Sequence, residues 1–276
     1  MQRLQALAAR VAISGSHHSF RPIARRPVHS SAGSGRSFPV QSLLWGSAFV
    51  FATSWVLKDK LHLDAPEDEL PEDTRVDPAT SIAFPTTLRI PSKVPLPTFT
   101  LVGLGVRTVS FLGIKVYSVG FYADLANPNL NIPKSATPDE KIEYIVRNTA
   151  CVLRIMPTRA TSYSHLRDGF MRALQARMRL CQQRGALTQE EEAGAQSPLR
   201  KFKSLFPNTP LAKHTPLDIL LTAPEGSQPR SLIIRDLGSI QNDWVAREFV
   251  MAYFEGAGIS PPLKQSVVDS LEPFGR

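Results

Sequence analysis

The first 58 residues of this 276-residue chain contain no aspartate and no glutamate. Six arginines lie in that segment, at positions 3, 10, 21, 25, 26 and 36, and they supply most of the formal net charge of +8. The rest of the chain is nearly neutral, which argues against a nucleic-acid-binding surface. A segment rich in arginine and serine without acids is typical of a mitochondrial transit peptide, which we predict for residues 1–37. A disordered basic tail is the alternative.

Several common catalytic and ligand-binding motifs are missing. The chain has two cysteines, Cys151 and Cys181, whose spacing fits neither a C-x-x-C motif nor a zinc site, so we predict no metal site. Gly103 and Gly105 form a G-x-G but lack the third glycine and the strand-to-helix transition of a dinucleotide site. A nucleophile elbow and paired carboxylates in an apolar context are also missing, so the sequence gives no support to a hydrolase.

Residues 38–57 form a hydrophobic run without a charged side chain. About 19 residues at a rise of ~1.5 Å reach ~28 Å, close to the thickness of a bilayer core, so we predict a transmembrane helix. A buried helix of a soluble domain is the alternative. Arginines precede the run and acids follow it, which places the N-terminal side in the matrix. The rest of the chain would then project from the inner mitochondrial membrane into the intermembrane space.

An acidic, proline-rich spacer over residues 58–83 precedes one predicted domain, residues 84–276. Alternating residues over 101–124 predict a hairpin that turns at Leu112-Gly113, and apolar steps of three and four predict a long helix over 159–184. The other predicted elements are a helix over 138–148, a strand over 149–156, a charged helix over 189–206 interrupted near Pro198, a hairpin of 216–222 with 231–237, and helices over 243–255 and 263–271. This order predicts an α+β domain in which helices pack on an antiparallel sheet.

Arg107 stands out in the hairpin. Counting by twos from Phe111 through Val109 places its guanidinium on the face of two core hydrophobes. A charge there needs a partner, which is either an acid of the fold or an anionic ligand. Across a two-residue turn Arg107 would face Ser118, whereas a bulge of one residue would bring Tyr117 opposite it.

Tyr163 lies on the apolar stripe of the long helix, so its ring is predicted to turn inward like Arg107. One interpretation is structural, with Arg107 paired to a buried acid and Tyr163 filling space. The other is a pocket in which a guanidinium and a phenol bind an oxyanion or a carboxylate.

Three stretches, GVRTVSFLGIKVYSVGFYAD, TSYSHLRDGF and AREFVMAYFEGAGISPPLK, are similar to the chalcone isomerase superfamily and look closest to its fungal mitochondrial branch. The resemblance covers residues 84–271. It implies an open-faced sandwich, in which a large antiparallel sheet is covered by a helical layer with a cleft between them.

The resemblance also implies roles for individual residues. Arg107 stands where the isomerases have the arginine that stabilises an oxyanion, and Tyr163 matches a tyrosine that holds a water. Three other polar groups of those enzymes are replaced here, by Tyr117, Phe170 and Ala252. Losing these contacts weakens specific binding of a polyphenol, so the replacements argue against flavanone synthesis.

Non-catalytic members of the superfamily bind fatty acids through an arginine and a tyrosine, and the fungal mitochondrial members are associated with haem. The resemblance therefore implies a hydrophobic anionic ligand, haem or fatty acid, held by Arg107 and Tyr163 with Tyr117 and Ser118 nearby. Haem would need an axial ligand, for which the candidates are His165, His214, Tyr163 and Tyr117. The alternatives are an intramolecular lyase acting on an unknown enone and an inert scaffold of the inner membrane.

Overall fold

The computed structural model describes residues 73–109 and 112–275. The predicted transit peptide (1–37), the predicted transmembrane helix (38–57) and residues 58–72 of the spacer lie outside these residues, so those assignments stay predictions. Within the described ranges, no helix combines the length and the apolar character needed to cross a membrane.

The described chain groups several strands before its first helix, in an α+β order. Its strands are β1 (Thr74–Val76), β2 (Ala83–Pro85), β3 (Thr87–Leu88), β4 (Phe99–Val109), β5 (Ile114–Ala123), β6 (Cys151–Pro157), β7 (Thr161–Ser162), β8 (Pro210–Leu211), β9 (Leu217–Leu221), β10 (Ser231–Ile234) and β11 (Gly238–Gln241). Its helices are α1 (Pro138–Asn148), α2 (Tyr163–Gln183), α3 (Gln189–Leu205), α4 (Asp243–Met251) and α5 (Pro261–Leu271). A seven-stranded sheet in the order β11-β10-β9-β6-β5-β4-β3 is the centre of the fold, and each neighbouring pair in it is antiparallel.

Side-chain caps mark the starts of α1 and α2, and α2 begins at Tyr163 instead of the predicted residue 159. Thr137 caps α1 in a capping box with Glu140, and Ser162 caps α2 by accepting a hydrogen bond from the backbone of His165. The predicted apolar stripe of α2 is confirmed, because its buried residues are Leu166, Phe170, Leu174, Met178 and Cys181. These side chains join strand residues such as Val119 and Phe121 in the main core between the sheet and the helices.

The opposite face of the sheet has its own smaller core, covered by the chain that leads into β4. Ile82, Phe84 and Leu88 pack there on Tyr122 and Val152. The ordered domain therefore starts earlier than residue 84, because β1 pairs with β2 and residues 74–83 belong to the fold instead of the spacer. Phe84 has 0% exposed surface, and burial of its apolar side chain stabilises the folded conformation of this segment.

Helix α3 and strand β11 also differ from the sequence prediction. Helix α3 continues through Pro198 without an interruption. Proline removes one helical hydrogen bond, but Ala195 and Phe202 are fully buried on either side of it, and their packing keeps both halves aligned. Strand β11 was not predicted, because four residues that include a glycine and only one buried apolar side chain give no alternating pattern.

The glycines of β4 allow α5 to lie directly on the strand. A Cβ atom at Gly105 would stand 2.2 Å from the backbone nitrogen of Leu263, and one at Gly103 would stand 2.7 Å from that of Val267. Only a residue without a side chain fits so close to another backbone. Gly103 and Gly105, the G-x-G of the sequence, therefore allow α5 to pack closely on β4.

Candidate functional site

Arg107 reaches its position through an irregularity of the β4–β5 hairpin. Val109 pairs with Ile114, whereas the predicted two-residue turn would pair it with Val116, and the register shifts between Arg107 and Thr108. The shift pairs Arg107 with Tyr117 and leaves Ser118 opposite Val106. Both Arg107 and Tyr117 therefore point from the sheet toward the helices, as the bulged alternative predicts.

A cavity of about 160 Å³ lies between these two strands and the first turns of α2, and both Arg107 and Tyr117 line it. The remaining wall is mostly apolar, and it consists of Val109, Val116, Leu166, Gly169 and Phe170. His165 and Arg172, both exposed, border the same space. The cavity thus combines an apolar interior with positive charge.

The charge of Arg107 has no counter-ion in the described part of the chain. The side chain is half-buried, and no carboxylate of residues 73–109 or 112–275 forms an ion pair with it. The other half-buried arginines of the core region differ, since Arg154 is bound by Asp218 and Arg177 by Glu248 and Glu255. A partly desolvated cation without a counter-ion favours an anion in the adjacent space.

Tyr117 is the polar neighbour of that cation. Its side chain is 2% exposed, and its hydroxyl lies 2.9 Å from the hydroxyl of Tyr253, which is fully buried. Burial raises the pKa of Tyr117, although the charge of Arg107 and the hydrogen bonds from Tyr253 and Arg107 work against that rise. Tyr117 therefore stays a neutral phenol near neutral pH, able to donate one hydrogen bond. Tyr253 was not predicted as part of the site. Its spacing of four residues from Phe249, within the predicted helix over 243–255, is the sequence signal that indicates an inward-facing ring.

The other two predicted site residues do not line this cavity. Tyr163 is the first residue of α2, where it is half-buried and packs against the main core. Ser118 is fully buried on the opposite face of the sheet, because neighbouring residues of a strand point to opposite sides. Its hydroxyl donates a hydrogen bond of 2.6 Å to Asp77 and lies 2.6 Å from the hydroxyl of Thr80. Ser118 thus holds the segment before β2 in place.

The residues at the cavity fit haem poorly. His165 is exposed at its border, and His214 lies in an exposed turn with φ of 62° and does not line it. Tyr163 is also outside the lining, and the hydroxyl of Tyr117 is engaged by Tyr253. A volume of about 160 Å³ is below the roughly 300–1,000 Å³ of typical cofactor sites. Haem binding stays a prediction without support from this geometry.

A larger hollow, of about 990 Å³, lies on the other face of the sheet between residues 90–97 and strands β9 and β10. The buried Asp218 and Arg230 at this hollow are already used by the fold, whereas Lys93 and Glu225, which also line it, are exposed. Asp218 is bound by Arg154 and Arg235, and Arg230 donates hydrogen bonds to backbone carbonyls. We therefore take the smaller cavity, which has a cation available to a ligand, as the candidate site.

The chain has fungal sequence relatives that are named as mitochondrial. The chain is similar to altered inheritance of mitochondria protein 18, a protein named as mitochondrial, from Eremothecium gossypii (30% identity, 46% of this chain and 52% of the relative). It is also similar to the protein of that name from Debaryomyces hansenii (28% identity, 55% of this chain and 61% of the relative). This chain thus matches only about half to three fifths of the length of these relatives.

The fold is shared with a solved plant structure. The crystal structure of a fatty-acid binding protein from Arabidopsis thaliana superposes with a TM-score of 0.53 at 19% identity, covering 73% of this chain and 100% of that protein. The family model described as chalcone isomerase like matches residues 97–142 and 132–268, which include both strands of the candidate site, helix α2 and Tyr253. The predicted superfamily and its open-faced α+β sandwich are confirmed, and the chain belongs to the chalcone isomerase-like family.

Proposed function

We propose that this protein binds a fatty acid and does not catalyse a reaction, with the carboxylate held by Arg107 and Tyr117. The observation that carries the proposal is the cation of Arg107, which has no counter-ion among the described residues and faces an apolar cavity beside a neutral phenol. A carboxylate accepts hydrogen bonds from both groups and neutralises the guanidinium. The fatty-acid binding protein that shares the fold supports the same ligand class.

The size of the cavity suggests how such a ligand would be held. About 160 Å³ accommodates the carboxylate and the first carbons of an acyl chain. The rest of a long chain needs α2 to move outward from the sheet. The apolar side chains of Leu166 and Phe170 on α2 would then contact the acyl chain.

Binding of palmitate to the purified full chain, followed by calorimetry, tests this function. We expect Arg107→Ala to weaken palmitate at least about tenfold, because charged hydrogen bonds contribute about 1.5–3 kcal/mol. Arg179→Ala is the matched control, since Arg179 is exposed on α2 and does not line the cavity. Tyr163→Phe tests whether the predicted contact of that tyrosine exists. Equal affinity in the wild type and in Arg107→Ala would contradict the proposal.

The other ligand and activity hypotheses have distinct signatures in the same preparation. A Soret band that disappears in Arg107→Ala would indicate haem. Turnover of a panel of chalcones would indicate an intramolecular lyase that uses Arg107 as its electrophile. A chain that shows neither property and binds no lipid would be an inert scaffold.

We also propose that the domain lies in the intermembrane space, tethered to the inner membrane. This location rests on the charges that flank residues 38–57 and on relatives that are named as mitochondrial. Protease treatment of intact and of swollen mitochondria tests it, and a domain that resists digestion after rupture of the outer membrane would contradict it.

A further inference from the structure

Tyr117 and Tyr253 form a hydrogen-bonded pair beside the cavity, with 2.9 Å between their hydroxyl oxygens. Tyr117 lines the cavity, whereas Tyr253 lies behind it, two residues past the end of α4, with 0% of its surface exposed. Among residues 73–109 and 112–275, the hydroxyl of Tyr253 has no hydrogen-bond partner other than Tyr117. The two rings thus connect the cavity to the interior of the core.

Counting protons shows that this pair is incomplete. Two hydroxyls carry two protons, but a single hydrogen bond between them uses only one. The remaining O–H group therefore has no acceptor within the described part of the chain. A buried hydroxyl donor without an acceptor raises the free energy of the folded state. The position of the second proton therefore decides which arrangement of the pair is more stable.

The direction of the bond follows from where each ring lies. If Tyr117 donated to Tyr253, the free proton would belong to Tyr253 and would be enclosed in apolar core next to Phe249. If Tyr253 donates, its proton is satisfied and the free proton belongs to Tyr117, which faces the cavity. Burial raises the pKa of both Tyr117 and Tyr253, so both hydroxyls are protonated and the positions of the two rings decide the direction.

We infer that Tyr253 is a positioning residue that donates its hydroxyl proton to Tyr117 and thereby directs the Tyr117 proton at the ligand's carboxylate. This inference rests on the proposed fatty-acid function. With the oxygen of Tyr117 fixed by Tyr253, its O–H group and the guanidinium of Arg107 converge on one anion. Hydrogen bonds in such a chain polarise one another, so the Tyr117 donor is also strengthened.

A double-mutant cycle on palmitate affinity tests the inference in the full chain. We expect Tyr117→Phe to weaken palmitate about tenfold and Tyr253→Phe about three- to fivefold. In the Tyr117→Phe background, Tyr253→Phe should have no further effect, because its role passes through the Tyr117 hydroxyl. Hexadecanol, which has no carboxylate, should bind the wild type and Tyr253→Phe equally well.

Tyr122→Phe is the matched control for removing a buried hydroxyl. Its hydroxyl donates to the carbonyl of Pro85 on the opposite face of the sheet, so palmitate affinity should not change. Equal losses from Tyr253→Phe in both backgrounds would overturn the relay and leave the fatty-acid function intact. A wild type that does not bind palmitate would overturn both.

A second measurement needs no variant. In nuclear magnetic resonance spectra of selectively labelled tyrosine, the Tyr253 hydroxyl proton should exchange slowly with water in the free protein. The Tyr117 hydroxyl proton should become slow only when palmitate is added. A Tyr253 proton that exchanges fast in the free protein would contradict the inferred direction.

Discussion

Arg107 and Tyr117 face each other across β4 and β5 and extend to the same side of the sheet. This pairing depends on the register shift between Arg107 and Thr108, since an unshifted continuation of the pair Thr108 and Lys115 would place Val116 opposite Arg107. The shift brings a guanidinium and a phenol together at an apolar cavity, and the ligand proposal follows from that contact. Three further predictions test the site and its surroundings.

Filling the cavity should abolish ligand binding without harming the fold. Gly169 lies within α2 and lines the cavity, and a Cβ atom built there would meet only Arg172, at 3.9 Å. We expect Gly169→Leu to eliminate measurable palmitate binding, because its side chain occupies the ligand space. Its helix propensity should raise the free energy of unfolding by about 0.5–1 kcal/mol.

Gly194→Leu is the matched control for that substitution. Gly194 is exposed within α3, and a Cβ atom there has no neighbour within 4 Å among the described residues. Its effect on the free energy of unfolding should be similar, and its palmitate affinity should equal that of the wild type. Undiminished palmitate binding by Gly169→Leu would show that the ligand lies elsewhere.

The ion pair of Asp218 should matter for stability and not for binding. Asp218 is 1% exposed and accepts two hydrogen bonds from Arg154, at 2.7 and 2.9 Å, on the face of the sheet away from the cavity. We expect Asp218→Asn to lower the free energy of unfolding by about 2–4 kcal/mol, because Arg154 then loses its counter-ion. Urea denaturation measures this loss, and palmitate affinity should change less than about twofold.

Asp236→Asn is the control for the preceding substitution. The Asp236 side chain is 87% exposed and lies 3.7 Å from Arg235, so its replacement should leave stability nearly unchanged. Asparagine also tolerates the left-handed backbone at this position, where φ is 63°. Equal effects of the two substitutions would contradict the structural role given to Asp218.

Stability should fall in acid partly because of Glu255. Burial acts to raise the pKa of Glu255, but hydrogen bonds from Arg184 and Arg177 outweigh it and hold the pKa below its ordinary value of 4.5. The contribution of Glu255 is therefore complete above that value and is lost as the pH falls through the lower folded-state pKa. We expect Glu255→Gln to reduce the difference between the free energies of unfolding at pH 6 and pH 3.

Glu225→Gln is the control for the pH series, because Glu225 is exposed and forms no ion pair with any other described residue. Its stability profile between pH 3 and pH 6 should match that of the wild type. An unchanged profile in Glu255→Gln would contradict the proposed effect of Arg177 and Arg184.

Local patterns in the sequence were enough to predict most elements but not all of their limits. The stripe of α2 from Leu166 to Cys181 was predictable because helical spacing places these side chains on one face. The continuity of α3 through Pro198 was not, because packing on both sides of the proline is a tertiary effect. Residues 74–83 looked like spacer, since their composition does not show that Asp77 would accept a hydrogen bond from Ser118.

The sequence by itself determined the α+β class and the unusual position of Arg107, because alternation along a strand decides which face a side chain takes. Only the tertiary structure decided the partner of Arg107. The bulge, which periodicity cannot show, brings Tyr117 opposite it and directs Ser118 to the other face. The place of Tyr253 behind Tyr117 joins residues 136 positions apart, and such a contact depends on how the helical layer lies on the sheet.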